Sequence, residues 1–135
     1  KKDHLLNNIT FSGNVSYTEV EKKVEKSKLL IIPSEWYEPF GLVIIEALSK
    51  GTPVAASDIG SLPELIKNYR HGFLFKAKNE HSLFKNVQKA WRNKNYLKKL
   101  SYRAKKTNKL FSDRDNYKKL ISIYNKAIKN NKIQK

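Results

Sequence analysis

Apolar residues fall along this chain in two alternating patterns, short unbroken runs and helically spaced stripes. Leu29-Leu30-Ile31-Ile32 is continuously apolar, as a strand covered on both faces must be. Pro33 closes it, because proline cannot donate to a strand ladder. Pro53-Val54-Ala55-Ala56 and Gly72-Phe73-Leu74-Phe75 have the same character. Ile9-Thr10-Phe11, closed by Ser12-Gly13-Asn14, predicts a further short strand at the start. Between the runs lie helix signals. Ser16 stands three residues before Glu19, the spacing of a capping box, and predicts a helix over 17–26 with Val20 and Val24 on one face. Residues 41–49 read as helix, with Gly51 past the end as a left-handed cap. Ser61 is expected to cap a short helix through Ile66, with Pro63 in the first turn, where proline is tolerated.

After Phe75 the runs stop and three helical stripes follow. Leu83, Phe84, Val87, Ala90 and Trp91 form the first, and Leu97, Leu100, Ala104 and Phe111 the second. Tyr117, Leu120, Ile121, Tyr124 and Ile128 form the third. At helical spacing, all three are expected to pack on the core. Repeated strand–helix units imply an α/β fold, a Rossmann-like parallel sheet with flanking helices and a helical C-terminal tail. The length of 135 residues suits one domain spanning 1–135.

Composition narrows the class. No apolar run approaches the roughly 20 residues needed to span a bilayer. Nothing at the start resembles a secretory signal. With no cysteine there is no disulfide framework and no thiolate metal site, which fits a reducing, cytoplasmic setting. The lack of methionine leads us to expect an internal or C-terminal piece of a longer chain. The net charge of +16 comes from 28 Lys+Arg against 12 Asp+Glu. Such a balance attracts anionic membrane or nucleic acid. Only four of those cations are Arg, whereas base reading and bidentate phosphate clamps favour Arg. Three readings stay open: a solvated basic surface, peripheral contact with acidic lipid, and nucleic-acid binding.

In parallel sheets ligands sit outside the carboxyl ends of the strands. The loop after Ile32 therefore holds the densest candidate chemistry, Pro33-Ser34-Glu35-Trp36-Tyr37-Glu38-Pro39-Phe40-Gly41-Leu42. Glu38 stands just before a helix start. Gly41 either lets a ligand approach the backbone or serves tight packing. The free N–H groups of that first turn suit a phosphate. Glu46 lies in the apolar stretch 42–48, where a carboxylate needs partners. It could accept two hydrogen bonds from a sugar diol, just as Glu38 could be no more than a favourable anion at a helix start. Trp36 and Tyr37 either line a sugar site or pack over the sheet.

These residues carry a resemblance. Residues 33–66 resemble the signature region of family 4 glycosyltransferases, which have the GT-B fold. Glu38 and Glu46, with seven residues between them, are similar to that family's paired glutamates. The likeness includes Pro33-Ser34, Glu38-Pro39-Phe40-Gly41-Leu42, Glu46-Ala47, Gly51-Thr52-Pro53-Val54, Ala56-Ser57-Asp58-Ile59-Gly60 and Pro63-Glu64-Leu65-Ile66. Phe11-Ser12-Gly13, Gly72-Phe73-Leu74, Phe111-Ser112 and Ile123-Tyr124 resemble further pieces on either side.

The resemblance implies part of the C-terminal half of a GT-B fold, truncated at its N-terminal side. It implies a retaining glycosyltransferase, hexosyltransferase-like, that takes a nucleotide diphosphate sugar as donor for glycan, polysaccharide or glycolipid synthesis. Glu38 would contact donor-sugar hydroxyls as the catalytic-site glutamate. Backbone N–H groups of Phe40, Gly41 and Leu42 would face the sugar and diphosphate. Glu46 would hold the ribose, and Asn14 and Val15 would lie where the base packs. The diphosphate itself would help deprotonate the acceptor, with no cofactor and no metal. The acceptor, a glycan or glycolipid, would be held by an absent N-terminal domain, so the isolated chain is expected to be inactive. No counterpart is found for the Arg and Lys that grip the diphosphate in the family.

Other motifs are weaker. Asp113-Arg114-Asp115 has a metal-binding form but precedes an expected helix, so capping explains it. His4, His71 and His81 lack metal-ligand spacing, and His71-Gly72 reads as turn chemistry. The alternative to the enzyme reading is a non-catalytic basic module for anionic membrane or nucleic acid.

Overall fold

The computed structural model describes residues 8–107 and 113–133. Three strands form one parallel sheet in the order β1-β2-β3: β1 Leu30–Ile32, β2 Val54–Ser57 and β3 Gly72–Phe75. Leu30 stands opposite Val54, and Val54 opposite Gly72. Helix α1, Tyr17–Lys26, precedes the sheet; α2, Leu42–Ser49, and α3, Leu62–Tyr69, connect its strands. Helices α4, Glu80–Arg92, α5, Lys94–Thr107, and α6, Asp113–Ile133, come after β3. The α/β class, the parallel sheet with flanking helices and the helical tail are as the sequence predicts.

Local chemistry accounts for the ends. Ser16 Oγ accepts from the Glu19 N–H at 3.4 Å and starts α1. Gly51, at φ +77°, follows α2; its N–H bonds Leu48 O, and the Thr52 N–H bonds Ala47 O. These bonds satisfy carbonyls that the helix end leaves over.

The main core lies on one face of the sheet. Ile44, Ala47 and Leu48 of α2, Leu62 and Ile66 of α3 and Ala104 of α5 pack there with Val54 and Ala56. Leu30, Ile32 and Leu74 join them, as strand alternation requires. Ser101 Oγ donates to Gly51 O at 2.8 Å and pins α5 to the end of α2. The second face is less covered. There Ile31, Leu83, Phe84, Val87 and Trp91 line an open cavity of about 580 Å³.

Three expectations are corrected. Ile9-Thr10-Phe11 forms no strand, and Phe11 is 85% exposed; nothing among the described residues pairs with it. The helical stripes are core faces only in part. Ala90, Leu100 and Ala104 are buried, but Phe84, Trp91 and the whole Tyr117-Leu120-Ile121-Tyr124-Ile128 face are exposed. Ser61 makes no side-chain cap. Phe111 and Ser112, with His4, lie outside the described residues.

His71 is fully buried between the end of α3 and β3. Burial pushes its pKa down to about 4, and a backbone hydrogen bond works the other way. The folded value lies below the unfolded one, so the unfolded chain takes up the proton first as pH falls. The stability that His71 contributes is whole above pH 6.5 and drains away toward pH 4. Between pH 7 and pH 5 the chain should lose about 2 kcal/mol. Urea unfolding at both pH values tests this. The same loss in a folded His71→Leu variant would show that another group carries it.

Candidate functional site

Candidate chemistry gathers at the carboxyl end of β1. Pro33 ends the strand, and the chain runs through Ser34 to Gly41 before α2 begins. Ser34 is buried, and its Oγ donates to Glu38 Oε1 at 3.2 Å. That bond turns the Glu38 side chain back over its own loop. The Glu38 carbonyl accepts from Ser61 N–H at 3.1 Å and from Ser61 Oγ at 2.8 Å. Ser61 thus spends its hydroxyl on the neighbouring loop rather than on its own helix. Gly60, at φ +62°, lies against the same backbone: a β-carbon there would come within 2.8 Å of Glu38 N and 2.9 Å of Glu38 O. The loops after β1 and β2 are therefore latched backbone to backbone at Glu38. Nothing in the spacing of Gly60 and Ser61 announces this role.

Gly41 has a packing role. Its φ is +69°, and a β-carbon would meet Leu62 Cδ2 at 2.9 Å and Leu65 Cδ1 at 3.2 Å. Glycine is needed there for conformation and for α3, on the side facing away from solvent. The first turn of α2 beyond it is open. Among the described residues, the Leu42 and Val43 N–H groups find no backbone partner, as expected of a helix start. Phe40, Leu42 and Val43 are exposed, and so are Trp36 and Tyr37. Trp36 and Tyr37 do not pack over the sheet. These exposed apolar side chains lie close in sequence to the free N–H groups of the helix start, the composition of a ligand surface.

Glu46 projects from the second turn of α2 and is half-buried. Its Oε1 accepts a hydrogen bond from Tyr17 Oη at 3.2 Å. The Glu46 charge, with desolvation and Glu21 behind it, raises the Tyr17 pKa, while Lys50 lowers it. Tyr17 opens α1, immediately after Asn14, Val15 and Ser16, so the start of α1 and Glu46 belong to one surface. Asn14 is exposed and Val15 half-buried. One turn along each helix, Lys50 Nζ meets Glu21 at 2.8 Å. That contact raises the Lys50 pKa. Nothing in the local sequence singles out Tyr17 for this place.

The surface is open rather than enclosed. A cavity of about 410 Å³ lies between Lys28, Pro53, Trp91 and Leu97, and neither it nor the cavity over Ile31 includes Glu38 or Glu46. Among the described residues no group of three or more His, Asp or Glu side chains gathers in a way that could hold a metal ion. None of their helices is long and apolar enough to cross a membrane.

Known proteins resemble this chain in sequence and in fold. The family model described as glycosyl transferases group 1 matches residues 1–107. An uncharacterised glycosyltransferase of Methanocaldococcus jannaschii is 39% identical over 75 residues, covering 56% of this chain and 19% of the relative. The crystal structure of a glycosyltransferase from Rickettsia africae superposes with a TM-score of 0.79 at 28% identity, over 94% of this chain and 34% of that one. An Anabaena protein solved in complex with UDP has a similar fold, with a TM-score of 0.78 at 22% identity, over 92% and 34%. The chain thus spans about a fifth of that relative and about a third of those structures.

Proposed function

Because the chain belongs to the glycosyl transferases group 1 family, we propose that it supplies the nucleotide-sugar-binding face of a retaining, hexosyltransferase-like enzyme of glycosyltransferase family 4. The observation that carries the reading is the open first turn of α2, whose free N–H groups suit a diphosphate, with Glu38 just before it in the chain and Glu46 in the next turn. Glu38 contacts the donor sugar, held by Ser34 and the Ser61 latch. The backbone of Phe40, Gly41 and Leu42 faces the sugar and diphosphate. Glu46 takes the ribose hydroxyls, and Asn14 and Val15 flank the base. Negative charge that builds on the leaving diphosphate is stabilised by the helix start, an electrostatic mechanism that asks for no metal and no cofactor. The UDP in the Anabaena neighbour supports a nucleoside diphosphate as the group bound.

The sugar passes to a glycan or glycolipid acceptor. The anomeric configuration of the product, read by NMR of the reaction at natural chain length, tests the chemistry. Retention is expected; an inverted product contradicts the proposal.

A second reading concerns location: a cytoplasmic protein held peripherally on the inner membrane face. The exposed Tyr117-Leu120-Ile121-Tyr124-Ile128 face of α6, with Lys118, Lys119, Lys126 and Lys129 on the same helix, favours it. The protein should pellet with phosphatidylserine vesicles and not with phosphatidylcholine vesicles, and high salt should release it. Equal pelleting with both lipids would remove the electrostatic case.

A further inference from the structure

Two helices meet at the ribose-facing carboxylate, and three polar links join their ends. Tyr17 Oη donates to Glu46 Oε1 at 3.2 Å. Lys50 Nζ contacts Glu21 Oε1 at 2.8 Å. Thr52 Oγ1 donates to the Val24 carbonyl at 2.8 Å. Tyr17, Glu21 and Val24 share one face of α1 at helical spacing, and Lys50, at the C-cap of α2, follows Glu46 by one turn. The links therefore run in register along both helices. The lower two brace the helices, and the first reaches the carboxylate itself.

A glutamate on a helix is a poor diol receptor unless its carboxylate is held. Its side chain has three torsions to order, at a cost that binding must overcome. An ionised carboxylate offers about four acceptor positions over its two oxygens. One donor on Oε1 fixes the plane and leaves Oε2, with the rest of Oε1, for a vicinal diol. Tyrosine suits this task because its rigid ring carries the donor at a fixed reach. Here the ring is anchored at the first residue of α1, next to the Ser16 cap.

We propose that Tyr17 is a positioning residue of the nucleotide site: its O–H sets the Glu46 carboxylate for the ribose diol and thereby sharpens preference for ribonucleotides over 2′-deoxyribonucleotides. This rests on the reading of Glu46 as the ribose ligand.

The test uses the protein at its natural length. UDP, GDP and ADP are titrated, and the tightest binder is compared with its 2′-deoxy counterpart. Tyr17→Phe removes only the hydroxyl of a largely exposed ring, so folding is not at risk. It should weaken ribonucleotide binding about 5-fold and lower the ribo-to-deoxy preference by a similar factor, the effect of one hydrogen bond to a charged group near solvent. In a Glu46→Ala background the same change should do nothing. Glu21→Gln, which removes a brace but not the Tyr17 hydroxyl, should leave the preference intact.

Each other outcome is decisive. If Glu46→Ala abolishes the preference and Tyr17→Phe leaves it whole, Tyr17 has no positioning role and the ribose reading stands. If Tyr17→Phe tightens binding, Tyr17 competes with the nucleotide and the proposal falls. If Glu21→Gln lowers the preference as much as Tyr17→Phe, bracing alone is at work, and the proposal falls again. If Glu46→Ala changes neither affinity nor preference, the ribose reading fails, and the proposal fails with it.

Discussion

Glu46→Ala is expected to weaken nucleotide-sugar binding by about 1.5–3 kcal/mol, roughly 10- to 150-fold, the worth of hydrogen bonds to a charged acceptor. The loss should fall on affinity rather than on folding. Glu46 is half-buried, and its side-chain partner among the described residues, Tyr17, is exposed and can turn its hydroxyl to water. Removing the carboxylate therefore strands no buried polar group. The surrounding helix stays anchored by Ile44, Ala47 and Leu48, all buried in the core. Isothermal titration of donor with the folded variant checks this. Unchanged affinity would contradict the role given to Glu46.

Gly72→Ala should cost about 3 kcal/mol or more, at the upper end of overpacking effects, and lower the unfolding midpoint accordingly. Gly72 stands opposite Val54 in the parallel ladder, and a β-carbon there would overlap the Val54 carbonyl oxygen. Relief would require the backbone of β2 to move, yet Val54, Ala55, Ala56 and Ser57 are all buried. The clash is with main chain, which has no alternative rotamer. The same β-carbon would also press on Ile66 Cδ1 at 3.1 Å and so disturb α3. Gly13 provides the control. It has φ +60° but nothing within 4 Å of its would-be β-carbon, so Gly13→Ala should cost only about 1–2 kcal/mol of left-handed strain. Denaturant unfolding separates the two. Equal, small effects would mean that the β2–β3 register is not as described.

The contrast among these residues shows what a sequence can carry. Unbroken apolar runs mark β1, β2 and β3 to within a residue at each end, because strands of a parallel sheet flanked by helices are nearly all apolar. The capping serine and the helical spacing of Val20 and Val24 place α1 at its observed bounds. Ile9-Thr10-Phe11 has the same composition, yet a strand exists only with a partner to bond, and composition does not supply one. The α6 stripe fails for a related reason: periodicity reveals an apolar face but not what covers it.

The candidate site divides in the same way. Glu38, Gly41 and Glu46 stand out in the sequence through their places around an expected helix start, and the roles proposed for them come from the family resemblance. The parts that hold them come from elsewhere in the chain and leave no local signal. Ser61 grips Glu38 across the intervening β2 strand, and Tyr17 reaches Glu46 from a different helix. His71 looks like a turn residue, and only packing around it reveals its burial. Long-range pairings of this sort come from the topology of the sheet, not from neighbouring residues.

The central claim is that the start of α2 and Glu46 form the face that receives a nucleoside diphosphate. Titration of the isotopically labelled protein at natural length with UDP, GDP and ADP in turn, followed by amide chemical shifts, tests it most directly. The account predicts saturable shifts for one nucleotide, concentrated at Gly41, Leu42, Glu46 and the start of α1, and lost in Glu46→Ala. Saturable binding of a nucleotide that leaves those amides unmoved would contradict it.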